Sequence, residues 1–339
     1  MNSDWKNHLS SQDINNNNTS DNEKSINTTI LCDLSQYSTL VIAGDDALSF
    51  MQGQFTNDVE KIDANNSQIN AFCNKKGRMI ANFRLFKHQN NYFISIKDSL
   101  VDLSIEHLQN YILRAHVAIQ DVSEQLIHLG LSGNKSPALL EEFIENIKIE
   151  NDSVSHNENY IAIRVAGPQP RYEIFCSLEY AKVLWEKLAD QVDVVDASSW
   201  EYLNIQAGIP FIDSNTSGEF IPQMTNMELI NGVSFTKGCF TGQEIVARTH
   251  YLGKQKRRTY RIRITSDTEP KAGDQLATET STDNQYTGTL ISIHPTANNK
   301  YEALAVIQIK SAAEGKLKLK DFDSKISLLE LPYSLEDNK

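Results

Sequence analysis

The sequence has few cysteines, and they lie too far apart to form a metal or dithiol motif. None of the four belongs to a C-x-x-C pair, which argues against a zinc ribbon or a redox dithiol: Cys32, Cys73, Cys176 and Cys239. The eight histidines also lack the H-E-x-x-H spacing of a zinc site. We therefore expect reduced thiols, most of them buried, and no protein-bound metal.

Long apolar segments and nucleotide-binding loops are also absent. No run approaches the roughly 20 apolar residues of a membrane helix, and the polar N-terminus lacks the apolar centre of a signal peptide. No G-x-G-x-x-G or Walker A motif occurs, which disfavours a Rossmann or P-loop enzyme. These absences predict a cytoplasmic protein that does not enter a membrane. Residues 1–29, rich in Asn, Ser, Asp and Thr, are expected to form a flexible polar tail.

The composition is that of a globular protein with an uneven distribution of charge. The chain has 339 residues, of which 40% are hydrophobic and 22% charged, and its net charge is −12. Within residues 237–263, however, eight basic residues face a single acid, Glu244, so this segment carries a local charge of +7. A net negative charge disfavours a general nucleic-acid coat, whereas the local positive charge requires a specific explanation.

Hydrophobic periodicity predicts a mixture of helices and antiparallel strands. Strands are expected at residues 38–43, 69–73, 79–86, 92–96, 160–165 and 172–176, and helices after residues 46, 98 and 136 and at 179–188 and 198–206. From residue 257 onward the signals are those of strands alone, which indicates a sandwich or barrel that starts near residue 255. The fold class is therefore α+β.

The segment KGCFTGQE at residues 237–244 predicts the start of a helix. Thr241 and Glu244 have the spacing of a capping box, in which each side chain bonds a free backbone N–H of the first turn. We therefore expect a helix from Gly242 to about residue 251, ended near Gly253.

Two interpretations stay open for the cysteine of this segment and for the basic run that follows. Cys239 lies just before the predicted helix and two residues from Lys237, surroundings that favour a thiolate nucleophile or redox-sensitive group. With no His or Asp partner in view, it also fits a small buried side chain at a glycine-flanked turn. The basic run fits a solvated edge strand. Because Tyr251 and Tyr260 flank it, it also fits a site for phosphates, polyglutamate or RNA.

Six segments resemble the YgfZ family of folate-binding proteins, which is related to the T-protein, or aminomethyltransferase, of the glycine cleavage system. They are residues 50–54 (FMQGQ), 73–79 (CNKKGRM), 204–210 (NIQAGIP), 220–223 (FIPQ), 237–244 (KGCFTGQE) with Ala247 and Arg248, and 332–336 (PYSLE). They occur in the order and spacing of the family across residues 31–337. The eight-residue block is highly specific.

The resemblance implies a three-domain, ring-like α+β architecture of the aminomethyltransferase type. Residues 30–254 would form a folate-binding region of two interleaved subdomains, and residues 255–337 a C-terminal β-barrel. The implied cofactor is tetrahydrofolate or a derivative. Trp200 would contact the pterin, Tyr37 takes the position of a second family tryptophan, and Arg248 is a further candidate contact. Tyrosine still offers the flat aromatic face that a pterin can stack on.

The implied role is support of iron–sulfur cluster enzymes, including those that thiolate tRNA. Cys239 and Lys237 would contribute thiol or cation chemistry to that role. The implied partners are folate, iron–sulfur proteins and tRNA, and the chain is expected to be monomeric.

One departure separates the chain from the true aminomethyltransferase. Where that enzyme carries a catalytic aspartate pair, the similar hairpin here has Ala81 and Asn82. Without a carboxylate the site lacks the charge that methylene transfer to folate needs, so we do not expect that reaction. Two alternatives stay open: a folate-dependent one-carbon transferase, and a non-catalytic adaptor that binds tRNA or an acidic partner through Lys256, Arg257 and Arg258.

Overall fold

The computed structural model describes residues 2–11, 28–278 and 286–335, and the chain divides into two compact units. Unit 1 comprises Met1–Met51, Val59–Gln68 and Phe83–Trp200, and unit 2 comprises Gln52–Asp58, Ile69–Asn82 and Glu201–Lys339. Each unit is therefore assembled from three separate stretches of chain. The predicted domain boundaries after residues 29 and 254 stay predictions.

Helices and strands alternate along most of the described chain. The helices are α1 (Ser3–Ser11), α2 (Ala47–Gln54), α3 (Val101–Gln109), α4 (Ser136–Glu141), α5 (Leu178–Ala189), α6 (Ala197–Gln206), α7 (Gln243–Tyr251) and α8 (Ile309–Glu314). The strands are β1 (Ile30–Asp33), β2 (Tyr37–Ala43), β3 (Ser67–Cys73), β4 (Met79–His88), β5 (Asn91–Lys97), β6 (Ala118–Asp121), β7 (Ile127–Ser132), β8 (Val154–His156), β9 (Tyr160–Val165), β10 (Arg171–Cys176), β11 (Asp193–Val195), β12 (Arg257–Thr265), β13 (Gln275–Thr278), β14 (Gly288–Ala297), β15 (Lys300–Gln308), β16 (Leu317–Leu319) and β17 (Lys325–Leu329).

A six-stranded sheet in unit 1 has one apolar face and one polar face. Its strand order is β11-β1-β7-β10-β9-β8, and Gly130 of β7 pairs with Glu173 of β10. Alternate residues of each strand point to opposite faces. Leu129 and Ile174 pack on α5 in a hydrophobic core that includes Leu184, Trp185 and Leu188. The other face carries His128, Gly130, Arg171 and Glu173.

The prediction of a flexible tail at residues 1–29 is wrong for residues 3–11, which form helix α1. Trp5 is fully buried in the core of unit 1, where its ring packs edge-on against Trp185 with 5.5 Å between centroids. Its indole Nε1 donates a hydrogen bond of 2.8 Å to Oδ1 of Asp33. One large aromatic side chain thus anchors a helix whose other residues are mostly polar. Residues 12–27 of the predicted tail lie outside the described residues.

A five-stranded sheet confirms the antiparallel meander predicted for residues 69–96. Its order is β3-β4-β5-β2-β6, and β5 pairs antiparallel with both β4 and β2. Phe86 pairs with Phe93, and Tyr37 pairs with Lys97. Tyr37 and Arg84 therefore lie on the same face of this sheet.

Residues 257–329 fold into a nearly closed, barrel-like sheet, as predicted. Its strand order is β16-β13-β14-β15-β12-β17, and the two edge strands β16 and β17 also contact each other. Ile262 and Ile264 of β12 are part of its hydrophobic core, whereas the alternate residues Arg261 and Arg263 are not. This alternation is the one that the sequence shows.

Three further observations concern the described residues as a set. None of their helices is long and apolar enough to cross a membrane. Their His, Cys, Asp and Glu residues form no group of three or more that is placed to hold a metal ion. All four cysteines are free thiols, and three of them are buried, whereas Cys239 is exposed. The interpretation of Cys239 as a buried structural residue is therefore wrong.

Candidate functional site

The polar face of the unit 1 sheet holds Trp200, one of the two residues predicted to contact folate. Trp200 is fully buried, and its ring lies against Gly130. A Cβ added at Gly130 would come within 2.8 Å of Cε3 of the indole, closer than real Cβ contacts. A glycine at this strand position is therefore what leaves room for the ring.

Arg171 lies over the same ring. Its guanidinium carbon is 5.1 Å from the Trp200 ring centroid, which is a cation–π contact. Nε donates a hydrogen bond of 2.7 Å to the carbonyl of Ala166, whereas Nη1 is buried without a hydrogen-bond partner among the described residues. Burial lowers the pKa of Arg171 to about 10, and nearby Glu173 opposes that shift. The side chain therefore stays charged at neutral pH.

Glu173 follows Arg171 by two residues in β10 and shares its face of the sheet. Its Oε2 lies 3.8 Å from Nε of Arg84 and 3.7 Å from Nε2 of His128, which is too far for a hydrogen bond. Burial raises the pKa of Glu173, while Arg84 and Arg171 lower it. Burial lowers the pKa of His128 to about 3, so its imidazole is neutral at pH 7.

Tyr37, the other predicted folate contact, joins these residues from β2. Its ring centroid lies 5.9 Å from that of His128, and Nζ of Lys97 lies 5.2 Å from the centre of its ring. Tyr37 is also close enough to Arg171 to raise the pKa of that residue. The structure therefore brings Tyr37 and Trp200 together around Arg171. We call this group the polar cluster: Tyr37, Arg84, His128, Arg171, Glu173 and Trp200.

Four members of the polar cluster were missed by the sequence analysis: Arg84, His128, Arg171 and Glu173. Arg84 is fixed by Asp152, whose Oδ1 accepts a hydrogen bond of 2.6 Å, and by Oγ of Ser67 at 2.9 Å. A signal was present in the spacing of Arg171 and Glu173. Two opposite charges two residues apart within an apolar strand must share one buried face, and buried charges occur where they have partners.

A cavity of about 190 Å³ lies beside the polar cluster in unit 1. Phe175 lines it and also stacks on His128, with 4.1 Å between ring centroids. Much of the remaining lining is aromatic, including Phe93, Tyr160 and Tyr180. Neither Tyr37 nor Trp200 lines this cavity. Both residues are buried, so their rings are enclosed by the protein.

Lys237 occupies a different environment, in unit 2. Its ammonium group donates hydrogen bonds to three backbone carbonyls, those of Gln52 at 2.8 Å, Phe55 at 2.6 Å and Asn57 at 2.9 Å. An ammonium group has three N–H donors, and all three are used here. Lys237 therefore fixes the end of α2 and the chain that follows it to the segment that carries Cys239.

The start of α7 differs from the predicted capping box. Gly242 is the N-cap residue, with φ of 84°, and no side chain caps the helix. Thr241 is turned away from the helix, and its Oγ1 donates a hydrogen bond of 3.0 Å to Oε1 of Gln54. The prediction of a capping box is therefore wrong, although the predicted helix is confirmed as Gln243–Tyr251. The left-handed backbone at Gly242 directs the preceding side chain elsewhere.

The segments that resemble the YgfZ family meet in unit 2. A Cβ at Gly77, in the turn between β3 and β4, would lie 3.0 Å from the carbonyl oxygen of Gly242 and 2.9 Å from Cβ of Ile245. Gln223 donates a buried hydrogen bond of 2.7 Å to the carbonyl of Val246 in α7. Tyr333 donates one of 2.6 Å to the carbonyl of Gly208. Residues scattered between positions 77 and 333 thus stabilise one unit, with Cys239 exposed on it.

Asn82 has a structural role in the same unit. Nδ2 donates to the carbonyl of Pro210 and Oδ1 accepts from the backbone N–H of Ile212, each at 2.7 Å. Both ends of its amide are therefore used to hold residues 210–212. Neither this side chain nor that of Ala81 supplies the carboxylate that aminomethyl transfer needs.

Half of the local positive charge is paired or buried. Arg258 pairs with Glu228 at 2.7 Å, and Arg261 and Arg263 share Glu302 at 2.6 and 2.9 Å. Lys237 is bound to carbonyls, so all four of these cations have partners within unit 2, and the two carboxylates cancel part of their charge. Arg248, Lys254 and Lys256 are exposed. Arg248 lies on α7 of unit 2, whereas the polar cluster lies in unit 1.

Comparisons with known proteins agree with this fold. Residues 7–234 match the family model described as the GCVT N-terminal domain. Among solved structures, the glycine cleavage system aminomethyltransferase T from Bartonella henselae superposes with a TM-score of 0.72, covering 92% of this chain and 88% of that one. At 14% sequence identity, this likeness shows the fold alone. The class is therefore that of proteins with the aminomethyltransferase T fold.

Relatives in sequence identify the family within this class. The chain is 33% identical over 308 residues to the tRNA-modifying protein YgfZ of Pectobacterium atrosepticum, which covers 91% of this chain and 92% of that protein. It is 31% identical over 310 residues to YgfZ of Yersinia pestis, which covers 91% of this chain and 94% of that protein. The chain belongs to the YgfZ family, as the six segments predict.

Proposed function

We propose that this protein binds a reduced folate in the polar cluster of unit 1 and supports tRNA modification. The observation that carries the proposal is a group of buried polar atoms without hydrogen-bond partners among the residues that the structure describes. They are Nε of Arg84, Nη1 of Arg171, Oε2 of Glu173 and both ring nitrogens of His128. Buried polar atoms are nearly always satisfied, so several unsatisfied ones in one place are typical of a ligand site.

The chemistry of these residues fits a folate. A pterin presents an amino group, a ring N–H and a carbonyl on one edge, which match a carboxylate acceptor and guanidinium donors. Its flat ring suits the aromatic faces of Trp200 and Tyr37. Both rings are now enclosed, so a pterin that stacks on them must displace the cation above each, Arg171 or Lys97. When bound, a reduced folate would supply a carrier of one-carbon units or electrons.

The tRNA part of the proposal is supported by the relatives, which are named as tRNA-modifying proteins. We propose iron–sulfur enzymes that thiolate tRNA as clients, in the cytoplasm, with Cys239 as the thiol that acts on them. Lys237 would be a positioning residue, because its three hydrogen bonds fix the segment before Cys239. Transfer of an aminomethyl group is disfavoured by the structural role of Asn82.

Titration of the purified chain with tetrahydrofolate, followed by tryptophan fluorescence and calorimetry, tests the pocket. Glu173→Gln removes the buried carboxylate and should weaken binding at least tenfold, or about 1.4 kcal/mol. Glu145→Gln, an exposed glutamate of the same unit that does not line the cavity, is the control and should bind as wild type does. Unfolding curves establish that each variant is folded. Absence of binding by wild type, or equal affinity for Glu173→Gln, would overturn the folate proposal.

Complementation tests the thiol. In a strain that lacks the protein, plasmid-borne wild type should restore thiolated tRNA nucleosides measured by mass spectrometry. Cys239→Ser should restore less than a tenth of that amount, whereas Thr236→Ala, an exposed position on the same segment, should restore it fully. Full restoration by Cys239→Ser removes the thiol from the mechanism.

A further inference from the structure

Exposed cations of the basic run lie on α7 and just after it, next to a second set of cations. Gly77 packs against Ile245 in the first turn of α7, so the turn at residues 74–78 lies beside that helix. Three side chains of this turn are exposed cations: Lys75, Lys76 and Arg78. Arg248 lies one turn beyond Ile245 on the same side of the helix. Together with Lys254 and Lys256, which follow α7, they form what we call the basic surface.

The basic surface keeps a positive charge after its acids are counted. Glu244, in the first turn of α7, and Glu219 are the exposed carboxylates that accompany it. Burial raises the pKa of Glu219, while Arg78 and Arg257 lower it, which places this glutamate next to those cations. Six cations and two carboxylates leave a net charge of about +4 on a protein whose total is −12.

Exposed aromatic and apolar side chains accompany these charges at the end of α7. Tyr251 is 62% exposed and Leu252 is 83% exposed. The Tyr251 ring is held edge-on to His250, with 4.8 Å between centroids, and its hydroxyl donates to the carbonyl of Phe235 at 3.4 Å. A tyrosine that is held by these contacts and still 62% exposed provides an aromatic surface on which a base can stack.

We propose that the basic surface binds RNA, with the cations on phosphates and Tyr251 under an unpaired base. The nine residues of α7 span about 14 Å, enough for several phosphates of one strand. An acidic protein would use the same cations but gives no role to the exposed tyrosine. The inference rests on the tRNA part of the proposed function and assigns the contact to residues other than those of the polar cluster.

Fluorescence anisotropy with a labelled, unmodified tRNA transcript tests this surface in the full chain. Affinity should fall steeply between 50 and 200 mM salt, at roughly 0.9 powers of ten per decade of salt for each phosphate neutralised. Changing Lys75, Lys76 and Arg78 together to Gln should lower affinity at least tenfold and flatten the salt dependence. Tyr251→Ala should lower affinity about tenfold at unchanged salt dependence.

A matched variant keeps the test specific. Lys310, Lys316 and Lys325 are exposed lysines of the C-terminal sheet region, and changing all three to Gln removes the same charge from unit 2. This control should bind RNA as wild type does. Equal loss in both triple variants, unchanged binding by the first, or tighter binding of a polyglutamate peptide than of tRNA would overturn the proposal. Tetrahydrofolate titration of the same variants separates the two proposals, because the basic-surface variants should bind folate normally.

Discussion

Single residues set the geometry of the polar cluster and of the region around α7. Gly130 leaves room for the indole of Trp200, and Gly242 adopts the left-handed backbone that places the start of α7 against residue 77. Lys237 satisfies three carbonyls at once. At each of these positions the side chain, or its absence, has a structural reason that does not depend on any ligand.

Replacing Gly130 by alanine should destabilise the protein. The new Cβ would lie 2.8 Å from the Trp200 indole and 2.9 Å from the sulfur of Cys32, so the ring must move. Overpacking of this kind costs about 1 to 3 kcal/mol of unfolding free energy, measured by urea denaturation. Gly53→Ala is the control, because nothing lies within 4 Å of its added Cβ and the residue is helical. That variant should be as stable as wild type or slightly more stable.

Lys237→Met should also lower the unfolding free energy. Methionine keeps the apolar chain but leaves three carbonyls without their donor, which costs about 2 to 4 kcal/mol. Lys254→Met, at an exposed position, should change stability by less than about 0.5 kcal/mol. If the two variants unfold at the same urea concentration, the three hydrogen bonds of Lys237 contribute nothing to stability.

At the scale of elements, helix α1 shows how one residue can fix a polar segment. Apart from Trp5 and Leu9, all of its nine residues are polar or charged, and a composition of this kind predicts no fixed structure. Trp5 nevertheless buries a large apolar area between Trp185 and Asp33. Average composition over a window conceals a single anchor of this size.

Removing that anchor should detach the helix. Trp5→Ala is expected to lower the unfolding free energy by about 3 to 5 kcal/mol, because a buried tryptophan leaves a large cavity. Amide hydrogen exchange of residues 3–11 should also become fast, since α1 loses its packing. Lys6→Ala, an exposed position of the same helix, should change neither quantity appreciably. Slow exchange in Trp5→Ala would show that other contacts hold α1.

Most elements could be predicted from the sequence, because their apolar periodicity and their packing agree. Strand Tyr160–Val165 and the strands of the C-terminal sheet follow such patterns, and both are confirmed. The capping box failed because Thr241 had a competing partner, Gln54, that is remote in sequence. Local spacing reports what a side chain can reach nearby, and it carries no information on a partner almost 190 positions away.

The same limit applies to the site. Tyr37 and Trp200 were assigned through family resemblance, and their common surroundings depend on strands from several parts of the chain. Arg84, for example, meets Glu173 only because two sheets fold within unit 1. Charges on buried strands could have been flagged from the sequence. Their mutual distances could not, because those distances depend on the tertiary fold.

For the whole molecule, the buried ionisable groups of unit 1 predict a stability that depends on pH. The pKa of His128 is lowered by burial from 6.5 to about 3, so the unfolded state takes up its proton first. Its contribution to stability is present above about pH 6.5 and is lost as the pH falls toward 3. Between pH 6.5 and pH 5 the unfolding free energy should fall by about 2 kcal/mol. Burial raises the pKa of Glu173, so the contribution of this residue to the unfolding free energy increases as the pH falls, opposite to that of His128.

Urea denaturation at several pH values, with two histidine variants, measures this dependence. His128→Phe keeps a ring against Phe175 and should flatten the profile between pH 5 and 6.5. His116→Phe, at an exposed position, should leave the profile as in wild type. An unchanged slope in His128→Phe would assign the pH dependence to other groups.

The hydrogen bonds of Lys237 also have a consequence for biosynthesis. The carbonyls that it binds belong to residues 52–57, which leave the ribosome about 180 residues before their partner. At typical synthesis rates of about 5 to 20 residues per second, that segment waits roughly 10 to 40 seconds. During this interval the segment, which includes the fully buried Phe55 of the finished protein, does not yet have the ammonium group that will bind its carbonyls. Nascent chains shorter than about 240 residues should therefore be the forms of this protein most dependent on chaperones.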